Sequence, residues 1–228
     1  MFEFLLIDLD DTILDFKKAE RLAIAKTITS FGLEATPETL HRYHLINKEH
    51  WERLERKEIT REQVLVGRFD VLFQEMGISV DPVLCARTYE GNLSQGHYFL
   101  PGAFETLEEL AKNYRLFLVS NGTSRVQAGR LKSAAISHFF ETIFISQDIG
   151  VNKPDKLYFD RCFAQIPDFI SEKALIVGDS LSSDILGGKN AGIATCWVNP
   201  EGKNAPENLQ PDYQIESLSQ LPKLLRQG

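Results

Sequence analysis

Five short runs of Phe, Ile, Val and Leu, at residues 3–9, 115–120, 142–146, 173–178 and 194–198, restrict the fold of this chain more than any other feature. Runs that are apolar at nearly every position suit strands covered on both faces, as in a parallel sheet. Helical patterns at about 103–112, 124–134, 155–165 and 182–190 separate the later runs. Strand, helix and parallel strand connect right-handedly in one sheet. The alternation therefore predicts an α/β protein with a doubly wound, Rossmann-like parallel core.

Residues 16–95 have another texture. They hold no convincing strand and several helix boundaries: Gly32 as a stop, Thr36 as a cap with Pro37 behind it, "TREQ" at 60–63 as a capping box, Gly77 as a stop, and "DP" at 81–82 as a start. That is too much helix for a simple crossover. The reading is a helical cap domain at 16–97 inserted into a core formed by 1–15 and 98–228, with "LPGA" at 100–103 as the point of re-entry. Residues 199–212, with three prolines, read as a surface loop, and "YQIESLSQLPKLL" as a short edge strand and a last helix.

In open parallel sheets, ligands bind beyond the carboxyl ends of the strands. Four polar clusters fall there: Asp8 and Asp10 after the first run, "SNG" (Ser120, Asn121, Gly122) after the second, "KP" (Lys153, Pro154) after the third, and "DSLSSD" with Asp179 and Asp184 after the fourth. Asp8, Asp10 and Asp11 lie within four positions. Two carboxylates about 4 Å apart repel by roughly 4 kcal/mol at an effective dielectric near 20, so a cation is expected among them. Taken singly, each cluster also fits a turn or a helix cap; the argument rests on their shared edge.

These residues resemble the haloacid dehalogenase-like hydrolase superfamily, through "DLDDT" (8–12), the Ser of "VSNG" (119–122), the Lys of "NKP" (152–154) and "GDSLSSD" (178–184). The resemblance spans essentially the whole chain, the helical insertion included. It implies an Asp8 nucleophile that becomes an aspartyl phosphate, with Asp10 as general acid and base. It also implies magnesium held by Asp8, Asp179 and the Asp10 backbone carbonyl, with Asp184 on its water shell or as a weak ligand. Lys153 would pair with Asp8 and the transferring phosphoryl group. The Ser120 hydroxyl and the Asn121 and Gly122 N–H groups would cradle phosphate oxygens. Asp11 has no reactive part in this scheme and is expected to brace the turn.

Four reactions share such a scaffold. Phosphomonoester hydrolysis needs Asp8, Asp10, magnesium and Lys153 together. Dehalogenases of the superfamily work without magnesium and lack the second aspartate, which Asp10 and Asp179 argue against. Phosphomutase relatives usually carry Gly where Asp11 stands. A non-catalytic regulator would not need every acid intact. Within the hydrolases, "NKPDKLYFDRCF" after "ISQDIG" looks like the pyrimidine 5'-nucleotidase branch, which implies a nucleoside monophosphate as the small phosphorylated substrate. N-acylneuraminate-9-phosphatase-like and general sugar-phosphate phosphatases remain alternatives.

The cap would read the leaving group. Its aromatic and basic candidates are Tyr43, His44, His50, Trp51, Arg53, Arg68, Phe69 and Phe73, although helical spacing also suits Phe69 and Phe73 to the cap core. His41, His44 and His50 show no metal-ligand spacing. Arg125 and Gln127 come just after the phosphate cradle and are further candidates.

Composition narrows the partners. A net charge of -7, from 25 basic and 32 acidic residues, disfavours a nucleic-acid polymer. Three scattered cysteines suit a reducing compartment. With no signal-like start and no membrane-length apolar run, the expectation is a cytoplasmic protein off the membrane, as a monomer or small homo-oligomer.

Overall fold

The computed structural model describes residues 1–226, and its centre is the first apolar run. β1 (Phe4–Ile7) is buried at every residue. It pairs in parallel with β2 (Arg115–Ser120) on one side and β4 (Ala174–Gly178) on the other. β3 (Thr142–Ile145), β5 (Ala194–Val198) and β6 (Tyr213–Ile215) complete a six-stranded parallel sheet in the order β3-β2-β1-β4-β5-β6. The chain winds outward from β1 to β3 and then crosses back to β4. The strand order therefore reverses between β1 and β4, where a crevice opens in such sheets.

Side chains alternate across the sheet, as a period of two requires. Leu5, Ile7, Leu116, Leu118, Leu175, Val177, Cys196 and Val198 face one side. There they pack with α5 (Ala103–Leu110), α10 (Leu221–Leu225) and Leu131 of α6 (Ser124–Ala134). Phe4, Leu6, Phe117, Val119, Phe144 and Ile176 face the other, against Tyr158, Phe159 and Cys162 of α8 (Lys156–Phe163). Both faces are covered, which is why the sequence runs are apolar without alternation.

The short α7 (Ser146–Ile149) has no counterpart among the sequence patterns, and the helix expected at 182–190 is divided. Leu181–Ile185 forms a wide π-type turn before α9 (Leu186–Ala191). The edge strand and last helix lie where the sequence places them, in β6 and α10.

Between β1 and β2 run α1 (Phe16–Ser30), α2 (Pro37–Glu55), α3 (Arg61–Met76) and α4 (Pro82–Leu93). The starts of α2, α3 and α4 match the capping signals. Thr36 accepts from Thr39 N, Thr60 and Gln63 close a capping box, and Asp81 accepts from Val83 N and Leu84 N. The helices bury a core of their own, including Ile24, Tyr43, Phe69, Leu72 and Tyr89. Each large apolar side chain so buried contributes about 1.5–3 kcal/mol. The two connections to the sheet run side by side: Asp15 N donates to Tyr98 O at 2.8 Å and Leu100 N to Ile13 O at 3.0 Å.

Cys85, Cys162 and Cys196 are buried free thiols. Among the described residues no helix is long and apolar enough to cross a membrane.

Candidate active site

Asp8 leaves β1 and Asp179 leaves β4 on either side of the strand-order reversal, and Asp8 N still pairs with Val177 O at 2.9 Å. Asp184 completes the group: one ligand atom from each of Asp8, Asp179 and Asp184 lies within 4.8 Å of the others. Lys153 enters from the loop between α7 and α8. Its Nζ donates to Asp8 Oδ1 at 2.7 Å, Asp184 Oδ1 at 2.6 Å and Val119 O at 3.0 Å, so all three protons are engaged.

One ammonium does not balance these acids. Burial pushes the Asp8 carboxyl up to about 7; Lys153 pulls it down, while Asp184 and Asp10 push it further up. Asp179 is held well above the usual carboxylate range by burial and then by the charges of Asp8 and Asp184. Burial alone would lower Lys153, but Asp184 and Asp8 outweigh it and raise its pKa. The donor set is hard oxygen with surplus negative charge, which suits a hard divalent cation.

Local structure explains how the side chains reach one another. Asp184 folds back over Gly178, where a Cβ would stand 2.2 Å from Asp184 Oδ2. Ser180 N donates to that same oxygen at 3.1 Å. Trp197 of β5 holds the turn by donating from Nε1 to Asp179 O at 2.8 Å. Asn121 clamps the lysine loop in both directions: Nδ2 donates to Lys153 O and Oδ1 accepts from Lys153 N, each at 2.9 Å. The sequence offered only the Asn121 backbone; its side chain is what fixes Lys153.

The other residues expected to cradle phosphate are differently engaged. Ser120 is buried, with Oγ accepting from Gln127 Nε2 at 2.9 Å. Gly122 N donates to Ser146 Oγ at 3.3 Å. Asp10 is gripped from α6, Oδ1 by Arg130 Nη1 and Oδ2 by Gln127 Nε2, the latter at 2.8 Å. Asp11 braces the entry to α1, accepting from Phe16 N at 2.9 Å and Lys17 N at 3.3 Å. Burial raises it to about 6.

The inserted helices roof a cavity of about 400 Å³ over these acids, within the size range of small-molecule sites. His44, Asn47, Trp51 and Glu55 of α2 and Arg68 of α3 line it. Glu20 of α1 accepts from Asn47 Nδ2 and pairs with His44 Nδ1, each at 2.6 Å, and Asn47 Oδ1 accepts from Arg68.

Other candidates lie elsewhere. Tyr43, Phe69 and Phe73 belong to the helical core. Buried His50 pairs with its own helix at Ile46 O, Arg53 pairs with Glu58 on the surface, and neither they nor Arg125 line the cavity.

The sequence reading missed Glu20, Asn47, Glu55 and Arg130. Glu55 accepts from Ser182 Oγ at 3.0 Å, and burial raises its carboxyl to about 7. The signal for Arg130 was its place three residues after Gln127, on the same face of α6.

Comparison with known proteins agrees with this geometry. A family model described as haloacid dehalogenase-like hydrolase matches residues 5–198. The HAD-hydrolase YfnB of Bacillus subtilis is 40% identical over 98% of this chain and 95% of its own. A crystal structure of YfnB bound to magnesium, which reveals interdomain movement, superposes with a TM-score of 0.94 at 39% identity, covering 98% of each chain. Pyrimidine 5'-nucleotidase PynA of Streptococcus pneumoniae is 36% identical over 96% of this chain and 93% of its own. Pyrimidine 5'-nucleotidase YjjG of Escherichia coli is 30% identical over 98% of both.

Proposed function

The chain belongs to the haloacid dehalogenase-like hydrolase family, and we propose that it is a magnesium-dependent phosphomonoesterase acting on pyrimidine nucleoside 5'-monophosphates. The observation that carries the chemistry is the meeting of Asp8, Asp179 and Asp184 around one fully engaged lysine. Full-length similarity to two pyrimidine 5'-nucleotidases supports the substrate. The inserted helices act in this reading as a cap over the leaving group.

Asp8 and Asp179 would hold magnesium, with the Asp10 carbonyl and Asp184 as further oxygen ligands. Bound there, the ion supplies positive charge against the phosphoryl oxygens and the attacking carboxylate. Asp8 attacks phosphorus; a new P–O bond forms to its carboxylate as the bond to the nucleoside oxygen breaks. Asp10 gives its proton to that leaving oxygen. Water then attacks the aspartyl phosphate and loses a proton to Asp10, and the P–O bond to Asp8 breaks. Inorganic phosphate leaves, and both acids return to their starting forms. Lys153 keeps Asp8 aimed and offsets its charge.

Ser120 and Asn121 stand at the end of β2, where phosphate oxygens would lie. Gly122 N would join them by leaving Ser146 Oγ. Trp51 lines the cavity and would pack against a flat base, and the Glu20–Asn47–Arg68 network offers fixed polar groups at the same wall.

The test is phosphate release, with magnesium, from a panel of nucleoside monophosphates and sugar phosphates. Preference for pyrimidine nucleotides is expected. Activity confined to sugar phosphates would move the substrate and keep the chemistry. Full turnover in Asp8→Asn would remove the nucleophile and the mechanism with it.

A further inference from the structure

Arg130 is fully buried, and its guanidinium touches three separate parts of the chain. Nη1 donates to Asp10 Oδ1 and, at 3.1 Å, to Gln127 Oε1. Nε donates at 2.9 Å to Gly96 O, in the segment returning from α4 to the sheet. The guanidinium carbon lies 5.6 Å from the centre of the Phe16 ring, at the first residue of α1. Both connections between helices and sheet thus hold this one side chain in place. A charge removed from water needs such partners.

The same contact orients Gln127. Because Oε1 accepts from Arg130, Nε2 must face Asp10 Oδ2 and Ser120 Oγ, at 2.8 and 2.9 Å. Gly122 leaves room for the amide, since a Cβ there would stand 2.8 Å from both Gln127 Cγ and Nε2. Each Asp10 oxygen is therefore gripped from a single turn of α6, and that turn is anchored on the connections.

We infer that Arg130 is a positioning residue for the phosphatase reaction: anchored on Gly96 and Phe16, it aims the Asp10 carboxylate directly and through Gln127. The inference rests on the reading of Asp10 as acid and base. It predicts which half of the reaction suffers when Arg130 is lost. With p-nitrophenyl phosphate the leaving phenolate departs without taking a proton, so aspartyl phosphate still forms. Hydrolysis of that intermediate needs a well-aimed Asp10 to receive the proton of water, so it slows.

In Arg130→Gln, steady-state kcat should fall at least about tenfold, a part of the 10²–10⁴-fold that acid–base catalysis supplies. KM should fall with it, so that kcat/KM stays within about twofold, and rapid mixing should show a burst of p-nitrophenolate growing toward one per active site. Arg130→Lys, which cannot serve Asp10, Gln127 and Gly96 together, should fall between. Gln127→Met leaves the buried charge in place and should show the same burst with a smaller loss, which keeps the inference testable if Arg130→Gln does not fold. Unchanged kcat in the variants overturns it, and so does a loss of kcat with no burst and an equal rise in KM. An active wild type, an inactive Asp10→Asn and an unaltered Arg130→Gln would remove this inference alone. A wild type that releases no phosphate would remove the proposed function and the inference together.

Discussion

Lys153 reaches Asp8 across 145 residues of sequence, and its Nζ lies 2.7 Å from Asp8 Oδ1 while it also serves Asp184. Removing one partner of a buried pair costs about 3–5 kcal/mol, because the other charge is left uncompensated. Lys153→Met should therefore melt well below wild type at pH 8 in EDTA. The deficit should shrink at pH 5, where Asp8 takes up a proton instead. Its kcat should fall about 10²–10³-fold, as when a preorganised electrostatic partner is lost. Thermal unfolding by circular dichroism at the two pH values is the check; equal melting temperatures at pH 8 would mean that the lysine is not the counter-charge.

In the proposed site, magnesium and protons would compete for the same carboxylates. The Asp8 carboxyl titrates near 3.8 in the free chain and near 7 in the fold, chiefly because it is buried. The folded protein binds this proton more tightly, so its contribution to stability is complete below about pH 4 and is lost as pH rises through about 7. Asp179 shifts in the same direction. A cation that needs the ionised acids should raise the melting temperature more at pH 7.5 than at pH 5.5. An equal rise at both would place the ion elsewhere.

How much of this could be read from sequence depended on range. Continuous apolar runs mark strands buried on both faces, and the polar residues at the end of each run are local facts, so Asp8, Lys153, Asp179 and Asp184 could be named together. That β4 lies beside β1 is not local, yet it alone brings Asp179 to Asp8. The same limit hid Arg130, whose identity and helix were visible but whose meeting with Asp10 depends on how α6 crosses the sheet. On α2, the period of 3.6 groups His44, Asn47, Trp51 and Glu55 on one face and Tyr43, Ile46, His50 and Leu54 on another. Only packing decides which face meets the cavity. His50 was a candidate on the wrong side of that division.

Gly178 carries a prediction because of what its missing side chain allows. A Cβ there would stand 2.2 Å from Asp184 Oδ2 and 2.3 Å from Cγ, so Gly178→Ala must displace the carboxylate. Overpacking of this kind costs about 1–3 kcal/mol. The displaced acid should leave Lys153 and the metal position, raising the magnesium concentration needed for half-maximal activity. Titrating activity against magnesium tests this, and an unchanged midpoint would show that Asp184 has no part in holding the ion.

Arg61 ties the inserted helices to the loops that carry the candidate site. From the start of α3, Nη1 donates to Gly122 O at 2.6 Å, and Nη2 donates to Ser146 Oγ at 2.8 Å and to Asn152 Oδ1 beside Lys153. Ser146 Oγ also accepts from Gly122 N, so this one side chain bears on Gly122 both directly at its carbonyl and through Ser146 at its N–H. The nearby Lys57–Asp155 pair is exposed on the lysine side and contributes little. A hydrogen bond from a charged donor is worth about 1.5–3 kcal/mol, or roughly ten- to hundredfold in any equilibrium that would lift these helices off the loops. Arg61→Ala should lower kcat/KM by about that factor and increase the radius of gyration seen by small-angle scattering. Arg61→Lys lacks the fork that spans three acceptors and should recover little. Unchanged scattering with unchanged kcat/KM in Arg61→Ala would show that the cap is held down by its apolar contacts instead.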